Sequence, residues 1–249
     1  MTPEPSSENA APRMGEVGRI TGVLVDPKKA FADIAARPSW ILPLILLIVG
    51  YLAFMYCFTT HVGWEHSMRQ AMENNSKVQQ MDPQQRENAL QMQIKFAPIG
   101  AYVVGPIVIV VIALAIAGVL LLVCKMMGAS LGFKQMFAIA SYAMLPGLIS
   151  SILTIIVIFI KNPEDFNLQN PLAFNLGAFL EPPPNSSKAL YSLATSIDLF
   201  SFWTILLLAV GISVAARKFP FSKALVAVVM SWVLLVLVKA GWAGLNPFG

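Results

Sequence analysis

Apolar residues fall along this chain in five long runs, at about 40–60, 97–124, 135–160, 198–216 and 224–243, with polar segments between them. The first three runs contain no Asp, Glu, Lys or Arg; Asp198 stands at the first position of the fourth, and Lys239 is the one charge inside the fifth. A helix needs about 20 apolar residues to cross the hydrocarbon at a rise of about 1.5 Å each. Lipid offers the backbone no hydrogen-bond partners, so only helices and closed barrels cross it. The runs lack the period-two alternation of barrel strands. The pattern predicts an all-α, polytopic helical membrane protein with five transmembrane helices.

The polar segments carry their own start signals. Residues 1–19 read as a disordered tail, rich in Pro, Ser and Glu near the start, and 20–249 as the membrane domain. Asp26-Pro27 is an N-cap followed by Pro at the first helical position. The helix it opens gathers Ala30, Phe31, Ile34 and Ala35 on one side, which predicts a short amphipathic helix lying on the inner membrane surface. Asp82-Pro83 repeats the signal, so 61–96 is expected to hold two helices that extend spans one and two as a hairpin. Segment 161–198 is turn-rich, and NLGAFL and KALYSLATSI within it are apolar enough to lie in the interface or to re-enter the membrane at 170–197. Pro43, Pro98, Pro106 and Pro146 lie in or at the edges of spans and predict kinks. Small residues four apart (Ala113 and Ala117, Ala209 and Ser213, Gly211 and Ala215, Ala227 and Ser231) permit close helix approach.

Charge sets the expected orientation. With a cytoplasmic N-terminus, the inner segments 1–39, 125–134 and 217–223 hold ten Lys and Arg, against six in the outer segments 61–96 and 161–198. The positive-inside rule therefore favours N-in and C-out. The chain is 57% hydrophobic and 12% charged, with a net charge of +4. That charge suits a protein beside anionic lipid and gives no argument for a nucleic-acid partner.

Little in the sequence carries chemistry. His61 and His66 are five apart and do not share a helical face, so no metal site is expected. Met68, Met72, Met81 and Met92 are expected to fill contacts between two helices. Ser141, Ser150, Ser151 and Thr154 are expected to bond back to their own helix or to a neighbour. No phosphate-cradling loop and no nucleophile-base pair is present, so no cofactor and no catalytic residue is assigned and an enzyme is not expected. Cys57 and Cys124 fall near opposite faces and are expected to stay free thiols. Counting outward from an inner turn near Phe219 puts Asp198 and Lys239 at similar depth near the outer face, where they are expected to be able to form a structural ion pair. Each also has a simpler role, Asp198 at a helix start and Lys239 reaching the interface beside Trp242.

Three local patterns carry a resemblance: DPKKAF at 26–31 followed by RPSWILPL at 37–44, SYAMLPGL at 141–148, and DLFSFWTILLLAVGISVA at 198–215. Together with five spans, they resemble the Yip domain family, named for Ypt/Rab-interacting proteins, in its bacterial-type branch, over about residues 20–243. The resemblance implies a compact five-span protein with a cytosolic N-terminus and no catalytic residues. Eukaryotic members act in vesicle trafficking and contact Rab GTPases through the N-terminal region. A Rab-type GTPase partner would follow only for a eukaryotic chain, and the short N-terminal region and the missing D-L-Y-G-P-type motif argue against it. The expected function is a non-enzymatic membrane scaffold or adaptor whose partners are the lipid bilayer and other membrane proteins or a second copy. The alternative is a small transporter or channel component. The expected location is an integral membrane one, the cytoplasmic (inner) membrane if the source is bacterial.

Overall fold

The computed structural model describes residues 14–73, 76–168, 170–183 and 185–245. Among these there is no strand, and the chain is an all-α polytopic membrane protein. Four stretches are long and apolar enough to cross a membrane: Ile41–His61 (α3), Pro83–Met126, Phe133–Ile160 and Phe221–Leu245 (α12), with the shorter apolar helix Leu199–Ala215 (α11) beside them. Each matches one of the five apolar runs, except that Pro83–Met126 starts 14 residues before the run at 97–124.

Two helices precede α3. Glu16–Val25 (α1) starts inside the stretch expected to be a disordered tail, so residues 16–19 are helical; residues 1–13 of that tail lie outside the described residues. Pro27–Ala36 (α2) begins as expected, with the Asp26 carboxylate accepting from the Lys29 N–H at 3.4 Å. Its expected place on the membrane surface is corrected. Ala30, Phe31 and Ile34 are fully buried, and α2 packs on α11 and on Phe133–Ala143 (α8). The apolar face that could have met lipid meets protein instead. Gly211 makes this possible, since a Cβ there would stand 3.0 Å from the Phe31 ring and 2.5 Å from Ile139 Cγ2.

The expected hairpin of two helices between the first two spans is present. Trp64–Glu73 (α4) follows α3 after a turn at Gly63, whose φ of 85° suits glycine. After the one-turn helix Ser76–Gln79 (α5), Asp82 caps Pro83–Ile99 (α6) by accepting from the Gln84 N–H at 2.9 Å, and α6 packs back on α4. Met72 fills that contact, whereas Met92 is exposed. Helix α6 runs through a π segment, Gly100–Val104, into Gly105–Met126 (α7). The π turn has a local cause. The Gly105 N–H donates to Gly100, five residues back, and residue 106 is a proline with no N–H. The Ala101 carbonyl loses both helical donors and accepts instead from the Tyr51 hydroxyl of α3 at 3.1 Å.

The third span is two helices, α8 and Pro146–Ile160 (α9), where one kinked helix was expected. Pro146 has no N–H to give, and the junction tightens into three-residue steps, Leu145 N–H to Tyr142 and Leu148 N–H to Leu145. Met136 to Ala143 are buried without interruption, so α8 is the centre of the core, enclosed by α2, α3, α7 and α11. Around it, α3 pairs with α9 and α11 with α12, while Lys188–Ser196 (α10) lies along α12. The small residues sit at these contacts: Ala113, Ala117, Ala209 and Ala227 are fully buried, and Ser231 nearly so.

Candidate functional site

The sequence singled out Asp198 and Lys239, and the structure brings both to one cavity of about 200 Å³ between α9, α10, α11, α12 and segment 170–175. They do not form an ion pair there. Asp198 is the N-cap of α11: Oδ1 accepts from the N–H groups of Phe200 at 2.9 Å and Ser201 at 3.0 Å, and Oδ2 from the Ser201 hydroxyl. The carboxylate charge is thereby spent on the positive end of its own helix. Lys239 Nζ donates to Ser196 Oγ, the last residue of α10, at 3.0 Å. Among the described residues Lys239 has no carboxylate within ion-pair distance. The expectation of shared depth rested on counting along two antiparallel helices. In this arrangement the carboxylate is occupied by donors of α11 and the ammonium by Ser196.

Segment 170–175 closes the other side. Asn170 and Asn175 bond each other side chain to side chain, Asn175 Nδ2 to Asn170 Oδ1 at 2.6 Å, and Asn175 forms an isolated antiparallel bridge with Asp198. Gly177 packs so tightly on Thr195 that its missing side chain is a steric requirement. A larger cavity, about 340 Å³ and mainly apolar, adjoins it at Asp198 and Phe200 and lies between α7, α11 and α12, with Met144 and Gly147 at the break in the third span in its wall.

A second polar cluster, which sequence reasoning missed, joins α1, α2 and α8 at the other end of the bundle. Arg19 is buried at 4% exposure and donates through Nε to Asp33 Oδ2 at 2.7 Å, and through Nη1 to Ser39 Oγ at 2.7 Å and Glu16 Oε1 at 3.1 Å. Tyr142 Oη donates to Glu16 Oε2 at 2.8 Å, and Arg37 pairs with Asp33. Two arginines and two carboxylates leave the cluster neutral, which suits its partial burial. The signal was present in the sequence: Glu16 and Arg19 are three apart, Asp33 and Arg37 four apart, and Val17, Ile20, Val23 and Leu24 give α1 an apolar stripe.

The remaining candidates behave as side chains that support the fold. Ser141, Ser151 and Thr154 bond back to carbonyls four residues earlier. His61 packs on Phe159 with ring centres 5.0 Å apart, and His66 reaches the Glu164 carbonyl at 3.2 Å. No group of His, Cys, Asp and Glu able to hold a metal ion occurs among the described residues. Cys57 is half-buried and Cys124 buried, and both are free.

No curated protein and no solved structure matches the chain. The Yip1 domain matches residues 21–243, from the middle of α1 almost to the end of α12 and thus nearly all of the described fold. The chain belongs to the Yip1 domain family.

Proposed function

We propose that this protein is a non-enzymatic membrane scaffold or adaptor with five spans, a cytoplasmic N-terminus and its C-terminus on the opposite face. One observation carries the reading. Helices α7 and α12 hold broad apolar faces outward: only 22% of the most apolar window of Pro83–Met126, and 22% of that of Phe221–Leu245, is buried within the chain. Those faces are free for lipid, for other membrane proteins or for a second copy, while α1 and α2 pack on α8 and α11. Photo-crosslinkers at Leu234 and Val111, 60% and 54% exposed, are expected to capture protein partners in native membranes, and one at buried Ala227 none. Lipid adducts alone at Leu234 and Val111 refute the scaffold.

The second reading, a small transporter or channel component, is favoured by the cavity that runs from Asp198 to the break in the third span. Flux in proteoliposomes that Asp198→Asn abolishes while the fold is retained would establish it in place of the scaffold.

A further inference from the structure

The two cavities adjoin, with Asp198 and Phe200 in the wall of both. The larger is lined along one face of α12 by Val228, Ser231, Trp232 and Leu235, and along one face of α11 by residues from Asp198 to Leu208. Lys239 continues the α12 face, four residues or about 6 Å beyond Leu235, in the smaller and more polar cavity. From Asp198 to Leu208 is ten residues, about 15 Å of helix. That is half of the roughly 30 Å hydrocarbon core, the depth reached by the acyl chains of one leaflet.

We propose that the paired cavities are a binding site for an anionic glycerophospholipid of the leaflet on the 161–198 side. One acyl chain lies in the apolar cavity between α7, α11 and α12, and the phosphate lies against Lys239.

Three features select this occupant. The apolar cavity, about 340 Å³, lies in the size range of small-molecule pockets and is as deep as a single leaflet. Leu235, 50% exposed, leaves its wall accessible from the surrounding lipid. The mouth holds one anion and one cation, differently engaged: the Asp198 carboxylate is bound by the donors of its own helix end, whereas among the described residues the Lys239 ammonium bonds a neutral hydroxyl and no carboxylate. An ammonium satisfied by one serine has two further donors to offer a phosphate. The scaffold reading is independent of this site.

The full chain in detergent is titrated with dimyristoyl phosphatidylglycerol, dimyristoyl phosphatidylcholine or glycerol phosphate, and bound lipid is counted by native mass spectrometry. Both lipids offer Lys239 a phosphodiester, but the choline cation of phosphatidylcholine repels the ammonium, so phosphatidylglycerol is expected to bind about tenfold more tightly. Lys239→Met is expected to erase that preference and Lys239→Arg to keep it. Leu235→Trp, at a half-exposed position that tolerates the change, is expected to weaken both lipids. Glycerol phosphate is expected not to compete. Equal affinity for the two lipids in the unmodified chain overturns the proposal, and so does full competition by glycerol phosphate, which would mark a site for a free anion. Undiminished lipid binding in Leu235→Trp, with helical circular dichroism unchanged, overturns the placement of the acyl chain.

Discussion

Replacing Phe31 with alanine tests whether α1 and α2 are part of the core or ride on the membrane surface. The Phe31 ring is fully buried between α2, Gly211 of α11 and Ile139 of α8. Truncating a ring in such a place costs about 3–5 kcal/mol in lost transfer energy and in the void left behind. The helix pair has a second hold, the Arg19–Asp33–Glu16 cluster, so the loss falls first on the local opening of α1 and α2 and only then on the whole bundle. A loss of about 3 kcal/mol is more than a hundredfold in an opening constant. Amide exchange in detergent is expected to speed up by at least that factor within 16–36 and to stay near the original rate in α3 and α9. Val25→Ala is the control: that side chain is 85% exposed, and its removal is expected to change stability by less than about 0.5 kcal/mol. A change below about tenfold in 16–36 would refute the burial argument and return α2 to the lipid surface.

Arg19→Met leaves the Asp33 and Glu16 carboxylates without their buried partner and is expected to cost about 3–5 kcal/mol; in a cycle with Asp33→Asn, the chemical-denaturation energies should depart from additivity by more than about 0.5 kcal/mol. Gly211→Leu forces a side chain into the contact of α11 with Phe31 and Ile139 and is expected to destabilise by about 1–3 kcal/mol, read as a lowered Tm in detergent. A thiol reagent is expected to label Cys57 in the folded protein and Cys124 only after denaturation, following their half-buried and buried positions; a band shifted by an intramolecular disulfide would contradict it. Reporter fusions at Gly128 and Phe219 are expected to report the cytoplasm and those at Gln80 and Pro183 the other side; a cytoplasmic C-terminus would remove the odd span count.

Local rules read the parts of this fold that are themselves local. Asp26 and Asp82 cap the helices they announce, because an Asp before Pro needs only its own next turn to act. The small residues at 113, 117, 227 and 231 lie at helix contacts, because in lipid close approach is what holds helices together. What the sequence hid was long-range. Tyr142 and Glu16 are 126 residues apart, and nothing along the chain says that a tyrosine in an apolar run will meet a carboxylate from the N-terminal segment. Glycines at 15, 18 and 22 masked α1, although Gly22 is what lets α1 approach α2: a Cβ there would stand 3.1 Å from that of Ala30. The same limit applies to Asp198 and Lys239. Helical counting placed them near each other, but the rotation of α12 and the end of α10 decided that Lys239 meets Ser196.

The Tyr51-braced π turn also has a mechanical consequence. Pro83–Met126 is 44 residues of nearly unbroken helix, about 66 Å at 1.5 Å per residue, more than twice the roughly 30 Å of hydrocarbon. The α6 half is therefore an arm of about 25 Å standing beyond the bilayer, with the π turn as its fulcrum. A tilt of only about 10° there swings the far end by roughly 4 Å. The Tyr51 hydroxyl on the Ala101 carbonyl ties the fulcrum to the first span, and the packing of α6 on α4 ties the arm to the same span a second time.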